Sequence, residues 1–237
     1  MDVLGIGSPD YIIDGEVLPE GKRPYLASLG SDLTGHECGA SLFHPNVVLT
    51  AAHCVDDEGN FSPQGWIDFK RYDLTIDLGV DRRVLSQTEG RGTNYIQRHP
   101  DYNPAVSEDL DIAIICLEQP VDDITPVKLN SNRKIPVDGQ ELEVFGWGNT
   151  NPDSDADPTN PDLPQTVTVN YITNEACMEP APFEYEAGKI TKNMMCAAAP
   201  GKDSCQGDSG MCDVITLSSI FLLQYFLILI LCGNSVV

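Results

Sequence analysis

Lys202-Asp203-Ser204-Cys205-Gln206-Gly207-Asp208-Ser209-Gly210 places a serine between two glycines. A serine hydroxyl is a weak nucleophile at neutral pH and needs a base within hydrogen-bond reach. Glycines on both sides let the backbone turn sharply, so that the N–H groups of Gly207 and Ser209 can converge on one oxyanion. Alone, such a segment is equally a polar turn. Upstream, Thr50-Ala51-Ala52-His53-Cys54 supplies an imidazole, and Asp109-Leu110-Asp111-Ile112-Ala113-Ile114 supplies two carboxylates ahead of an apolar strand.

Around these segments the chain reads as short β-type runs divided by turns. Strands are expected over 24–29, 41–50, 74–84, 93–98, 111–117, 141–146, 166–172 and 194–198. Gly 20 and Pro 17 supply the punctuation, and long helical periodicity is absent. Regularly spaced short strands predict an all-β sandwich or barrel. The segment 118–136, with Pro120, Pro126 and Pro136, reads as a linker between two halves. The Asp-, Asn- and Pro-rich stretch 149–164 reads as an exposed loop.

Taken together, the serine, histidine and aspartate motifs resemble those of the trypsin/chymotrypsin family of serine endopeptidases, over about Ile12 to Gly210. The resemblance implies two antiparallel six-stranded-type β-barrels. It implies a first barrel over 12–117, a linker over 118–136 and a partial second barrel over 137–213. It gives His53 the role of general base, Ser209 that of nucleophile, and Gly207 with Ser209 the oxyanion hole. Asp111 matches the orienting acid. Asp109 is its competitor by proximity, and the Ile-Ala-Ile run favours Asp111. Asp203, six residues before Ser209, matches the base of the specificity pocket and implies cleavage after Arg or Lys. Ile12-Ile13-Asp14-Gly15 resembles the start of a mature enzyme made from a zymogen, with 1–11 as a pro-segment or remnant. Cleavage before Ile12 would free an ammonium to pair with Asp208, although Tyr11 is not a trypsin-like cut site. The resemblance also implies disulfides Cys38–Cys54 and Cys177–Cys196. It assigns no role to Cys116, Cys212 or Cys232, and no cofactor.

Composition narrows the partners. A formal net charge of −22, from 36 acidic and 14 basic residues, repels a phosphate backbone and argues against nucleic acid. The acidic residues read first as a solvated surface and, as the alternative, as an attraction for basic substrates. The family resemblance implies protein or peptide substrates and protease inhibitors as partners. Eight cysteines point to an oxidising, extracellular or secretory-pathway setting. With four histidines (His36, His44, His53 and His99) and no ligand-type spacing, no metal site is expected. The segment Met1–Asp10 lacks the charge and apolar pattern of a signal peptide, which places the true start upstream or export by another route. Asn60-Phe61-Ser62 is a glycosylation sequon followed at once by Pro63.

After Gly210 the resemblance stops. Met211-Cys212-Asp213 leads into 214–232, nineteen residues without a charge. That length predicts an apolar, transmembrane-like helix, and the end of the resemblance at Gly210 implies an incomplete second barrel. The first reading is therefore a trypsin-like endopeptidase cut short after its serine motif. The alternative is a catalytically inactive, membrane-anchored remnant that binds peptides or inhibitors.

Overall fold

A computed structural model of the chain describes residues 15–31, 35–55, 65–68, 82–85, 95–103, 109–117, 120–132, 134–148, 161–178, 190–199, 209–210, 214–215, 220–221, 231–232 and 235–236. Strands run in the order β1 (Glu16–Val17), β2 (Leu26–Ser31), β3 (Gly35–His44), β4 (Val47–Thr50), β5 (Gly65–Asp68), β6 (Arg82–Leu85), β7 (Tyr95–Arg98) and β8 (Ala113–Cys116). They continue with β9 (Lys128–Leu129), β10 (Glu141–Gly146), β11 (Gln165–Ile172), the short helix α1 (Asn174–Cys177), β12 (Cys196–Ala198), β13 (Val214–Ile215), β14 (Ile220–Phe221), β15 (Leu231–Cys232) and β16 (Ser235–Val236).

Two seven-stranded sheets form, with β15 and β16 as a separate pair, an arrangement consistent with two barrels. The first has the order β6-β5-β2-β3-β4-β8-β7, and every pairing in it is antiparallel. The second runs β1-β11-β10-β13-β14-β9, with β12 on β11. Neither strand path closes on itself among the described residues. Glu16–Val17 lie in the span read as the first barrel, yet they pair with β11 of the second sheet. Within the expected linker, Lys128–Leu129 pair in parallel with β14.

Residue chemistry explains the central pairs. Val47-Val48-Leu49-Thr50 and Ala113-Ile114-Ile115-Cys116 are buried throughout, as strands covered on both faces must be. In β11 buried Gln165, Val167 and Val169 alternate with part-exposed Thr166, Thr168 and Asn170, the period of a half-covered sheet. The main core gathers Leu26, Leu29, Leu42, Ile67 and Ile115 with Phe145 and Trp147 from the second half. A smaller core holds Leu142, Val144, Val167 and Val169.

Polar contacts join the halves as well. Arg23 donates to Glu143 of β10 at 2.5 Å and lies over the Phe145 ring, 5.2 Å from its centre. His36 of β3 shares a 2.7 Å hydrogen bond with Ser28 and leans on Trp147.

The helix expected over 214–232 is corrected. The described residues of that segment, Val214–Ile215, Ile220–Phe221 and Leu231–Cys232, are strands. No helix among the described residues is long and apolar enough to cross a membrane. Leu142 and Glu143 pair with Ile215 and Val214. β-Branched Val214, Ile215 and Ile220 favour extended backbone; the flank of β10 offers a hydrogen-bonding ladder to Val214 and Ile215, and these in turn to Phe221 and Ile220.

Candidate active site

The register of β4 against β8 decides what meets at the end of the first sheet. Thr50 pairs with Ala113, so the residues leaving β4 face those entering β8. Beyond Thr50, Ala51 and Ala52 are small and buried, which lets the chain coil tightly. Residues Ala52–Cys54 form a single 3-10 turn, closed by Cys54 N–H donating to Ala51 at 3.3 Å and Val55 N–H to Ala52 at 3.2 Å. The turn sends the His53 side chain outward, 46% exposed, and Cys54 inward to its disulfide with Cys38.

Asp111 grips His53 at two points. Its Oδ1 accepts from the His53 backbone N–H at 2.8 Å, and its Oδ2 lies 2.5 Å from ring Nδ1. A carboxylate only accepts, so the proton of the ring contact belongs to Nδ1. That leaves the lone pair on Nε2, facing away from Asp111, as a base requires. Asp111 itself sits in a three-residue turn closed by Ile112 N–H donating to Leu110 at 2.7 Å.

Ser209 is fixed through its backbone. Its carbonyl accepts from Gly39 N–H of β3 at 2.7 Å. Cys54 Sγ lies 3.8 Å from the same oxygen; a disulfide sulfur carries no proton, so this contact is packing. Gly210 follows with φ +80°, and a Cβ there would stand 2.4 Å from both Gly39 O and Thr50 Oγ1. Thr50 Oγ1 also donates to Gly39 O at 2.8 Å, so the serine turn rests on a polar seat made by β3 and β4.

Of the residues singled out by sequence, His53, Asp111 and Ser209 thus come to one end of the first sheet. Ile12, Asp203, Gly207 and Asp208 lie outside the described residues. Of the two aspartates, Asp111 bonds His53, while Asp109 accepts from Thr191 Oγ1 at 2.6 Å and from Asn193 Nδ2 at 3.1 and 3.2 Å. Nothing in the sequence marks Thr191, Asn193 or Gly39. Cys177 and Cys196 are joined, and Cys116, given no role by sequence, is also disulfide-bonded. Ligand atoms of Cys38, His53 and Cys54 lie within 4.8 Å of one another. The two sulfurs are bonded to each other, so neither is the thiolate a metal needs.

Nearby, His99 follows β7, and its backbone N–H donates to Ile112 O at 2.8 Å. Its Nδ1 accepts from Asp101 N–H at 3.1 Å. Burial lowers its pKa below the ordinary 6.5, against the raising pull of Asp101 and Asp109.

An imidazole held by a carboxylate, with a serine seated on the same sheet end, is an arrangement of nucleophilic hydrolases. The Trypsin family model matches residues 12–211. Trypsin II-P29 of Gallus gallus is 34% identical over 211 residues, covering 87% of this chain and 75% of the relative. A vitellin-degrading protease of Bombyx mori is 35% identical over 207 residues, covering 84% of this chain and 69% of the relative. The suppressor of tumorigenicity 14 protein homolog of Bos taurus is 31% identical over 210 residues, 84% of this chain and 22% of the relative. The chain belongs to the trypsin family of serine endopeptidases and is a protease of the trypsin fold.

Proposed function

We propose that this protease cleaves peptide bonds after Arg or Lys, with His53, Asp111 and Ser209 as its catalytic residues. The observation that carries the reading is the two-point hold of Asp111 on His53. His53 Nε2 takes the proton from Ser209 Oγ as that oxygen attacks the substrate carbonyl carbon. The carbonyl oxygen becomes an oxyanion, and the N–H groups of Gly207 and Ser209 stabilise it. Collapse breaks the C–N bond, and His53 passes its proton to the leaving amine. Water then repeats the sequence on the acyl-enzyme ester, with His53 again as base and then as acid. Asp111 fixes the tautomer and stabilises the imidazolium.

Asp203 is assigned the pocket that pairs with a basic side chain, a role supported by its place six residues before Ser209. Cleavage before Ile12 is assigned to activation, its new ammonium pairing with Asp208. The halves 12–117 and 137–213 are proposed as the two barrels, joined by 118–136. The disulfides support an extracellular or secretory-pathway location, where protease inhibitors are natural partners.

The test uses the full chain cleaved before Ile12. A serine-reactive phosphonate should label the wild type and not Ser209→Ala, and hydrolysis should favour peptides with Arg or Lys before the cut. A folded wild type that is neither labelled nor active overturns the triad. Equal cutting after Phe or Leu overturns the specificity.

A further inference from the structure

Leu110 is the only non-glycine residue with positive φ among the described residues, at 60°. A leucine is disfavoured there, because its Cβ crowds the backbone. Such a conformation persists where the surroundings over-determine it, and such positions cluster at functional sites. Leu110 lies between Asp109 and Asp111, so whatever holds it sets the direction in which Asp111 enters the site.

On the Asp111 side the turn is closed by Ile112 N–H on Leu110 O, and Ile112 O is held by His99 N–H. On the other side stands Asp109. Its Oδ1 accepts from Leu110 N–H at 3.1 Å, fixing the peptide that leads into the strained residue. The same carboxylate accepts from Thr191 Oγ1 and from Asn193 Nδ2.

These donors sit on a braced platform between α1 and β12. Asn174 Nδ2 donates to Thr191 O at 2.8 Å and to Met194 O at 3.1 Å. Asn193 N–H donates to Thr191 Oγ1 at 3.2 Å, and Met194 N–H to Thr191 O at 3.2 Å. Just beyond, Cys196 is bonded to Cys177 and pairs with Ile172 in β11.

We infer that Asp109 is a positioning residue: its clasp with Thr191 and Asn193 anchors the strained Leu110 turn to the second half of the chain and thereby aims Asp111 at His53. The clasp joins the element that carries the orienting acid to the half that carries the serine motif. The effect on turnover rests on the proposed roles of His53 and Asp111; the geometric effect does not.

Two readouts separate them. The first is the low-field NMR signal of the His53 Nδ1 proton bonded to Asp111. The second is steady-state hydrolysis of an Arg-containing peptide by the chain cleaved before Ile12. In Asp109→Ala the proton signal should broaden into exchange with water. The kcat should fall roughly 10- to 100-fold through misplacement of the base. KM should stay within about twofold, since the substrate pocket is untouched. Asp109→Asn, which keeps an acceptor for Leu110 and Thr191, should recover most of both.

An unchanged proton signal and an unchanged kcat in folded Asp109→Ala overturn the inference. So does a loss carried by KM alone. If Asp109→Ala does not fold, Thr191→Val, which removes one donor to Asp109 and the acceptor of Asn193 N–H, must show the same split in smaller degree, and its failure to do so is equally decisive. Should wild type lack hydrolysis and labelling altogether, the catalytic reading fails while the His53 proton still decides on the clasp.

Discussion

Gly210 packs so tightly against Gly39 that a side chain on it has nowhere to go. A Cβ would stand 2.4 Å from Gly39 O and 2.9 Å from Ala51 N, both backbone atoms that cannot swing aside. With φ at +80°, the position also disfavours any L side chain. Gly210→Ala should therefore displace Ser209 and cost about 1–3 kcal/mol of stability from overpacking. Peptide hydrolysis should fall by about 100-fold or more. Urea titration and initial rates check both; an active, equally stable variant contradicts the packing.

Asp111→Asn tests the tautomer. An amide can present an N–H to Nδ1, which moves the ring proton to Nε2 and abolishes the base. The kcat should fall about 10⁴-fold near neutral pH while the thermal midpoint stays close to wild type. A variant retaining most of its kcat removes Asp111 from the mechanism.

Arg23 and Glu143 form a mostly buried pair, with side chains 11% and 12% exposed. Removing one partner strands the other in a place poor in water. Lys22 is too distant to replace Arg23 well, at 3.8 Å from Glu143 and itself 45% exposed. Arg23→Met should lower unfolding free energy by about 3 kcal/mol. Replacing both residues with apolar ones should recover much of that loss. A single variant as stable as wild type sinks the argument.

His99 makes stability depend on pH. Its folded pKa lies below 6.5, so the unfolded chain takes up a proton first as pH falls. The His99 contribution is therefore intact above pH 6.5 and declines below it. The carboxylates titrate too, so the comparison must be with a variant. Between about pH 7.5 and about pH 5, His99→Gln should lose less stability than wild type. Equal losses would show that His99 carries no such dependence.

The pairing of Leu142 and Glu143 with Ile215 and Val214, and of these with Ile220 and Phe221, puts those four residues of the apolar segment in the second sheet. Ending the chain at Asp213 should bare one flank of β10, lower the urea midpoint and promote aggregation. If the shortened protein keeps its midpoint and merely leaves a membrane fraction, the segment is an anchor instead.

The sequence made the site more legible than the frame around it. Ala-Ala-His-Cys and Asp-Ile-Ala-Ile were legible through their resemblance to family motifs; the first follows the end of β4 and the second leads into β8. β10 and β11 were legible from alternation and β-branched residues. The single strand expected over 41–50 is instead a hairpin, with Pro45-Asn46 turning between β3 and β4. The turn is masked in sequence by apolar residues on both sides. β9 lies in a proline-rich span and owes its extended form to its partner β14, which no local pattern reveals. The described residues of the apolar segment departed from the expected helix for a related reason: length and hydropathy do not separate a spanning helix from short strands. Asp109 looked like a rival to Asp111, because only tertiary structure brings Thr191 and Asn193 to it.

The seat of Ser209 on Gly39 has a further consequence. The imidazole and its carboxylate both lie on turns next to strands β4 and β8 of the first sheet, whereas the serine reaches that sheet from much later in the chain. The proposed chemistry thus depends on a seam as much as on either half. Parting of that seam would separate the proposed nucleophile from its proposed base even with both sheets intact. Turnover should therefore vanish at milder heat or lower denaturant than the loss of β signal, making catalysis the more sensitive gauge of how the two halves stay docked.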